Sequence, residues 1–190
     1  FIDKLLPDGT LVVCADSPGL VELVEASEKD FISYGLSEEV DVRCLPNQDQ
    51  SFSVQFKDGE MVTCRLVASP GIHNMVNATA VMAVLDHLGY DRQQSAQALA
   101  GFTGVRRRFD RIGTVRDITV VDDYGHHPTE IKATLQAART LDYQRVHVLF
   151  QPHRYSRTQA LIDEFSVAFQ QADSVTFMDI HSAGEMPIPG

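Results

Sequence analysis

Apolar and polar positions follow one rhythm in the first half of this chain and another in the second. Residues 1–6 resemble the tail of a helix, stopped by Pro7 and the Asp8-Gly9 turn. A short apolar run at 11–14 has the length of a buried strand. Ser17 as N-cap and Pro18 at the first helical position then open a helix to about Lys29, with Leu20, Leu23 and Val24 facing inward. Residues 31–34, 40–45, 52–56 and 61–66 read as strands. The last two, counted from Ser51, fold back across Lys57-Asp58-Gly59 as a hairpin. This stretch is antiparallel in character and belongs at a sheet's edge.

Pro70-Gly71 interrupts the strands. Residues 72–88 then carry Met75, Val76, Val81, Val84, Leu85 and Leu88, apolar almost all round, which predicts a helix buried on most sides. Gly89 ends it, and Asp91 caps a second helix to about Leu99. After Gly101 and Gly104 comes the run Arg106-Arg107-Arg108, taken as the boundary between a domain at 1–105 and another at 106–190. Beyond it the pattern alternates: strand 114–121, helix 128–141, strand 146–150, helix 158–171, strand 174–178. This β-α-β-α-β order predicts a parallel sheet with right-handed crossovers. The turns DDYGHHP, QPHRYSRT and DIHSAGE all follow strands, so they share one edge of that sheet, where open α/β sheets bind ligands.

Composition narrows the functional classes. The formal charge is 16 − 26 = −10 over 190 residues, which argues against general nucleic-acid or anionic-membrane binding while leaving room for a local basic cluster. Cys14, Cys44 and Cys64 lack CxxC spacing and fit reduced thiols of a cytoplasmic protein. No apolar run approaches membrane-spanning length and no signal peptide opens the chain. Phe1 in place of Met, and a closing GEMPIPG that reads as a continuing loop, suggest an excised fragment.

The candidate chemistry gathers in a few places. Asn74 and Asn77 share a face near a helix start. Their carboxamides suit a purine edge, or serve local backbone groups. The three arginines are either a solvated surface or a phosphate contact, where a planar guanidinium pairs at two points. Asp122 and Asp123 fit a metal, a ribose, a cationic partner or simple turn capping. His126 and His127 hint at zinc, but neighbouring histidines on one turn point apart and no further ligand spacing supports a site. His126 as a donor to an anion is the stronger reading. Arg154 and Arg157, heading a helix near Thr158, form a phosphate or carboxylate receptor. Neither GxxxxGK[ST] nor a strand-following GxGxxG is present.

Taken together, GIHNMVNATA, GVRRRFDR, VVDDYGHHPTE, FQPHRYSRT and AGEMPIPG resemble the Mur ligases of bacterial cell-wall synthesis, over essentially the whole chain. The resemblance implies an α/β protein: the end of a P-loop-type central ATPase domain, then a truncated, Rossmann-like parallel β-α-β C-terminal domain. It also implies ATP-driven amide formation through an acyl phosphate, with the branch that uses UDP-N-acetylmuramate and L-alanine the nearest. By the same resemblance His73, Asn74 and Asn77 address the adenine, Arg108 the phosphates and Asp123 the nucleotide. Tyr124, His126, Arg154 and Arg157 line the muramate and amino-acid side, and Mg2+ is held mainly by residues upstream of this chain. Arg108 and Asp123 are the expected catalytic pair. The two groups of residues are expected to form two walls of one cleft. A non-catalytic nucleotide- or phosphosugar-binding module is the competing reading, and a zinc hydrolase a third.

Overall fold

The Lys57-Asp58-Gly59 turn sets the first sheet. Gly59 adopts φ +87°, which glycine reaches at little cost, and turns β4 (Ser51–Phe56) back onto β5 (Met61–Arg65) with Val54 opposite Val62. This arrangement comes from a computed structural model that describes residues 2–47 and 51–188. The chain forms two units, 1–103 and 104–190.

In the first unit, β1 (Leu11–Cys14), β2 (Phe31–Gly35) and β3 (Val42–Pro46) complete a sheet of order β1-β2-β3-β4-β5. The antiparallel expectation holds for β3, β4 and β5. It fails for β2, which runs parallel to β1 and to β3. The tight turn at 57–59 enforces reversal between β4 and β5. β2 meets β3 through just two pairs, Tyr34 with Val42 and Gly35 with Arg43, at a staggered end. Along β5 burial alternates, with Val62 and Cys64 inward and Met61 and Arg65 outward.

Against this sheet pack α2 (Ile72–His87) and α3 (Arg92–Ala100). Met75, Ala78, Met82 and Ala83 of α2 join Phe52, Val54 and Phe56 in one core. The expectation that α2 is buried on most sides is corrected: Val81, Val84 and Leu88 are 45%, 40% and 63% exposed. A helix laid on one sheet face buries a single stripe, and small residues (Ala78, Thr79, Ala83) occupy that stripe here. Likewise α1 (Pro18–Glu25) ends sooner than Lys29, and only Val24 is buried, while Leu20 and Leu23 face outward. Ser17 takes the N-cap position without a side-chain bond, whereas Asp91 caps α3 by accepting from Gln94 N. The early helix tail is one 3-10 turn at Ile2–Lys4, and Phe1 lies outside the described residues. Arg92 binds Asp86, Asp58 and Glu60 and lies over the Phe56 ring, clasping the hairpin to the helices.

The second unit departs further from its expected pattern. The single strand foreseen at 114–121 is a hairpin, β6 (Asp110–Val115) and β7 (Ile118–Asp122). It turns at Arg116 and Asp117, both with positive φ, the geometry that matches strand twist in a two-residue turn. No Asn-Gly or Asp-Gly marked that turn. Helix α4 (Pro128–Arg139) follows, then β8 (His147–Phe150), α5 (Tyr155–Ala160), α6 (Ile162–Ser166) and β9 (Ser174–Phe177). The helix expected at 158–171 starts earlier and breaks at Leu161, whose backbone leaves the helical region. β8 and β9 pair in parallel, as the alternating pattern requires. β7 does not join them, because its one described ladder is with β6. Instead a cleft of about 850 Å³ lies between the β7 and β8 edges, floored by Ile131 and Leu135 of α4. Phe150, Phe165 and Phe169 form the aromatic heart of this unit.

Phe52 is fully buried at the centre of the first core. Phe52→Ala is expected to lower stability by ~3–5 kcal/mol through lost transfer energy and a cavity, measured as a reduced urea midpoint with an unchanged slope.

Candidate functional site

Strand β7 ends at Asp122, and the next five residues make the turn that leads into α4. Asp123 organises this turn. Its Oδ2 accepts from Phe109 N (2.8 Å), and its Oδ1 accepts from Gly125 N (2.7 Å) and the Thr134 hydroxyl (3.2 Å). A Cβ on Gly125 would stand 2.7 Å from Asp123 Oδ1, so a larger residue there would push that carboxylate off its hydrogen bonds. Among the options open from sequence, the carboxylate is engaged in holding backbone together. His127 caps α4, its Nδ1 accepting from Thr129 N (3.3 Å). Glu130 completes a capping box: its Oε2 accepts from His126 N (3.0 Å) and His127 N (3.2 Å). Burial would raise the Glu130 carboxyl. The two backbone N–H groups, Arg108 and the His126 ring outweigh burial and hold it below the usual carboxylate range.

The arginine run is drawn onto this turn. Arg107 and Phe109 both have positive φ (61° and 51°), and the resulting bend brings Tyr124 N to Arg107 O at 2.7 Å. The Arg107 and Arg108 guanidinium carbons lie 4.7 and 5.6 Å from the Tyr124 ring centre, within cation–π range. Arg107 Nε stands 3.6 Å from Asp122, and Arg108 NH1 donates to Glu130 Oε1 at 3.3 Å. His126 packs edge-on to Tyr124, 5.1 Å between centroids, with Nδ1 3.1 Å from Tyr124 O. Arg108, Asp123, Tyr124 and His126 are therefore brought together. Arg107, which the sequence offered only as part of the three-arginine run, joins them, as do Glu130 and Thr134, which sequence reasoning did not single out. The S/T-x-x-E-like capping pattern with His127 in the cap position was the available signal for Glu130.

The turns after β8 and β9 are joined as well. His153 bridges to His181, their rings 4.5 Å apart, and Arg154 N donates to His181 O (2.8 Å). Neither histidine was foreseen. Both follow strands that proved adjacent, which only the β8–β9 pairing decides. Arg154 is the N-cap of α5 and Arg157 lies in its first turn, but an amide there is already taken: Ser156 N and Oγ donate to the two oxygens of Glu185 (3.0 and 2.7 Å). Those bonds and Arg154, 3.9 Å away, hold the Glu185 carboxyl low. The receptor foreseen at this helix start thus contains an internal carboxylate. Pro189 and Gly190, the end of the AGEMPIPG motif, lie outside the described residues.

His73, Asn74 and Asn77 belong to the first unit, at the start of α2. Asn74 takes the local option with one donor, Nδ2 to Pro70 O at 2.9 Å, leaving its carbonyl oxygen for another partner. Asn77 is exposed. Among the described residues no group of three or more His, Cys, Asp or Glu is placed to hold a metal ion.

A mixed α/β protein with arginine, histidine and carboxylate side chains concentrated where its strands end is the class defined so far. Residues 107–187 match the model of the Mur ligase, glutamate ligase domain. Over its whole length it is 46% identical to UDP-N-acetylmuramate–L-alanine ligase of Syntrophotalea carbinolica, of which it covers 42%. It is 43% identical to the enzyme of the same name from Solibacter usitatus, of which it covers 41%. Among solved structures, 90% of the chain superposes on 37% of the UDP-N-acetylmuramate–alanine ligase of Thermotoga maritima, at 30% identity and a TM-score of 0.71. The chain therefore spans less than half the length of these relatives.

The His153 imidazole is held below its ordinary value, first by burial and then by His181, Arg157, His126 and Arg154. It therefore takes up its proton at a lower pH than an ordinary imidazole does. In an NMR titration the His153 ring should show that low midpoint. His181→Ala should move it upward by removing one like-charged neighbour, and an unmoved midpoint would mean the stacked ring is not felt.

Proposed function

We propose that this chain is part of an ATP-dependent ligase that forms the amide bond between UDP-N-acetylmuramate and L-alanine in peptidoglycan precursor synthesis. The observation that carries the reading is the Arg107–Arg108 bend stacked on Tyr124 beside His126, a cationic cluster fitted to an anion that develops charge. Relatives bearing the L-alanine ligase name along the full chain support the choice of substrates.

In this reading ATP supplies the phosphoryl group. An oxygen of the muramoyl carboxylate attacks the γ-phosphorus, the bond to ADP breaks, and an acyl phosphate results. The uncharged amine of L-alanine then attacks the acyl carbon, phosphate leaves, and the amine gives up a proton. Arg108 stabilises charge on the transferring phosphoryl, which is the main task of a protein in such a transfer. Asp123 acts through its hydrogen bonds, fixing the Phe109 amide and the turn so that Arg108 and Tyr124 meet. This refines the catalytic and nucleotide-holding part foreseen for it. Tyr124, His126, Arg154 and Arg157 face the muramate and alanine side, where Arg154 exchanges Glu185 for a substrate anion. His73, Asn74 and Asn77 receive the adenine, with the Asn74 oxygen accepting from an exocyclic amine. Mg2+ accompanies ATP in this chemistry, but the described residues include no cluster suited to it, so no ligand is assigned. No helix of the described residues is long and apolar enough to cross a membrane, in keeping with a cytoplasmic enzyme that uses soluble substrates.

Arg108→Ala in the ligase polypeptide that carries this chain should reduce alanine-dependent ADP release by about a hundredfold or more, with folding retained. Near-normal turnover would remove Arg108 from the phosphoryl step. The 190-residue chain alone is expected to release no ADP above background. ADP binding by the ligase polypeptide without any turnover would favour the non-catalytic binding module.

A further inference from the structure

We propose that Glu130 is a positioning residue for phosphoryl transfer: it holds the Arg108 guanidinium against the strand-end turn in the orientation that meets the phosphate. The inference rests on the reading of Arg108 given above and adds to it a residue that sequence reasoning passed over.

Glu130 divides its carboxylate between two tasks. Oε2 accepts from the His126 and His127 amides at 3.0 and 3.2 Å, and Oε1 accepts from Arg108 NH1 at 3.3 Å. The second bond joins residues 22 apart in sequence, tying the segment before β6 to the first turn of α4. His126 Nδ1 lies 3.6 Å from the same carboxylate. Arg107, Arg108 and His126 crowd around Tyr124, and like charges this close repel unless a negative group sits among them. Asp122 answers Arg107 at 3.6 Å, and Glu130 answers Arg108.

Magnitude separates the two tasks. The side chains of Arg108 and Glu130 are 51% and 34% exposed, and an exposed pair of this kind adds little to folding stability. The capping bonds carry the structural share. What the ion pair adds is orientation. Among the described residues this bond uses one of the five guanidinium N–H donors, which leaves others of the fork for an anion. Orienting a charged group before the reaction is where such a contact has its effect on rate.

Glu130→Gln separates cap from clamp. A glutamine oxygen still accepts from the His126 and His127 amides, while its NH2 cannot accept from Arg108. In the ligase polypeptide, Glu130→Gln is expected to keep the thermal midpoint and lower kcat about tenfold with little change in the KM for ATP, whereas Glu130→Ala also lowers the midpoint. Combined with Arg108→Ala, Glu130→Gln should have no further effect, because its action passes through that arginine. Equal losses with and without Arg108 would overturn the proposal, and so would a gain in turnover, which would mean Glu130 competes with the phosphate. If Arg108→Ala alone changes nothing, the phosphate reading fails first. If Arg108→Ala is damaging but uncoupled from Glu130→Gln, only the positioning role fails.

Discussion

The candidate site of the second unit depends on one carboxylate. Asp123 receives hydrogen bonds from the Phe109 amide, the Gly125 amide and the Thr134 hydroxyl, so the segment entering β6, the turn leaving β7 and the body of α4 converge on it. The conformations it supports are strained. Arg107 and Phe109 both sit in the left-handed region, at a cost of roughly 1–2 kcal/mol each. Hydrogen bonds to a charged acceptor contribute about 1.5–3 kcal/mol each, enough to offset that cost. Phe109 itself is pinned by burial against Ala137 and Ala138. Asp123 thus supports the bend that presents Arg107 and Arg108 to Tyr124, and a Cβ added at Gly125 would press on the same carboxylate.

Charge is handled locally. The chain carries ten more acidic than basic residues, and three arginines near the strand ends each have a carboxylate at hand: Arg107 with Asp122, Arg108 with Glu130, Arg154 with Glu185. These pairs are largely exposed and weakly stabilising.

Much of the fold was legible in the residues. The KDG hairpin, the Asp91 cap, the Pro128 helix start and the parallel β8–β9 pair all follow from local rules about φ, capping and spacing. The errors share a cause. The stretch at 114–121 is apolar at enough positions to pass for one strand, and its Arg116-Asp117 turn lacks glycine or asparagine. Leu20, Leu23, Val81 and Val84 read as core because periodicity reports which residues are apolar, without reporting which face meets a neighbour. The site was legible in kind. Arg108, Asp123, Tyr124 and His126 do cluster, while Arg107, Glu130, Thr134, His153 and His181 enter through contacts that span 11 to 28 residues or more of sequence.

By itself the sequence determined the α/β class, the order of most elements and the turns where polar chemistry gathers, because capping, turn chemistry and motif spacing act over a few residues. Tertiary structure alone decided which strand edges pair, which apolar residues are covered, and which donors each carboxylate receives. The strand-end turn at 122–127 shows both sides of this. Its polar residues were evident from the start, but that Asp123 is spent on backbone and Glu130 on Arg108 is settled by distances between segments far apart along the chain.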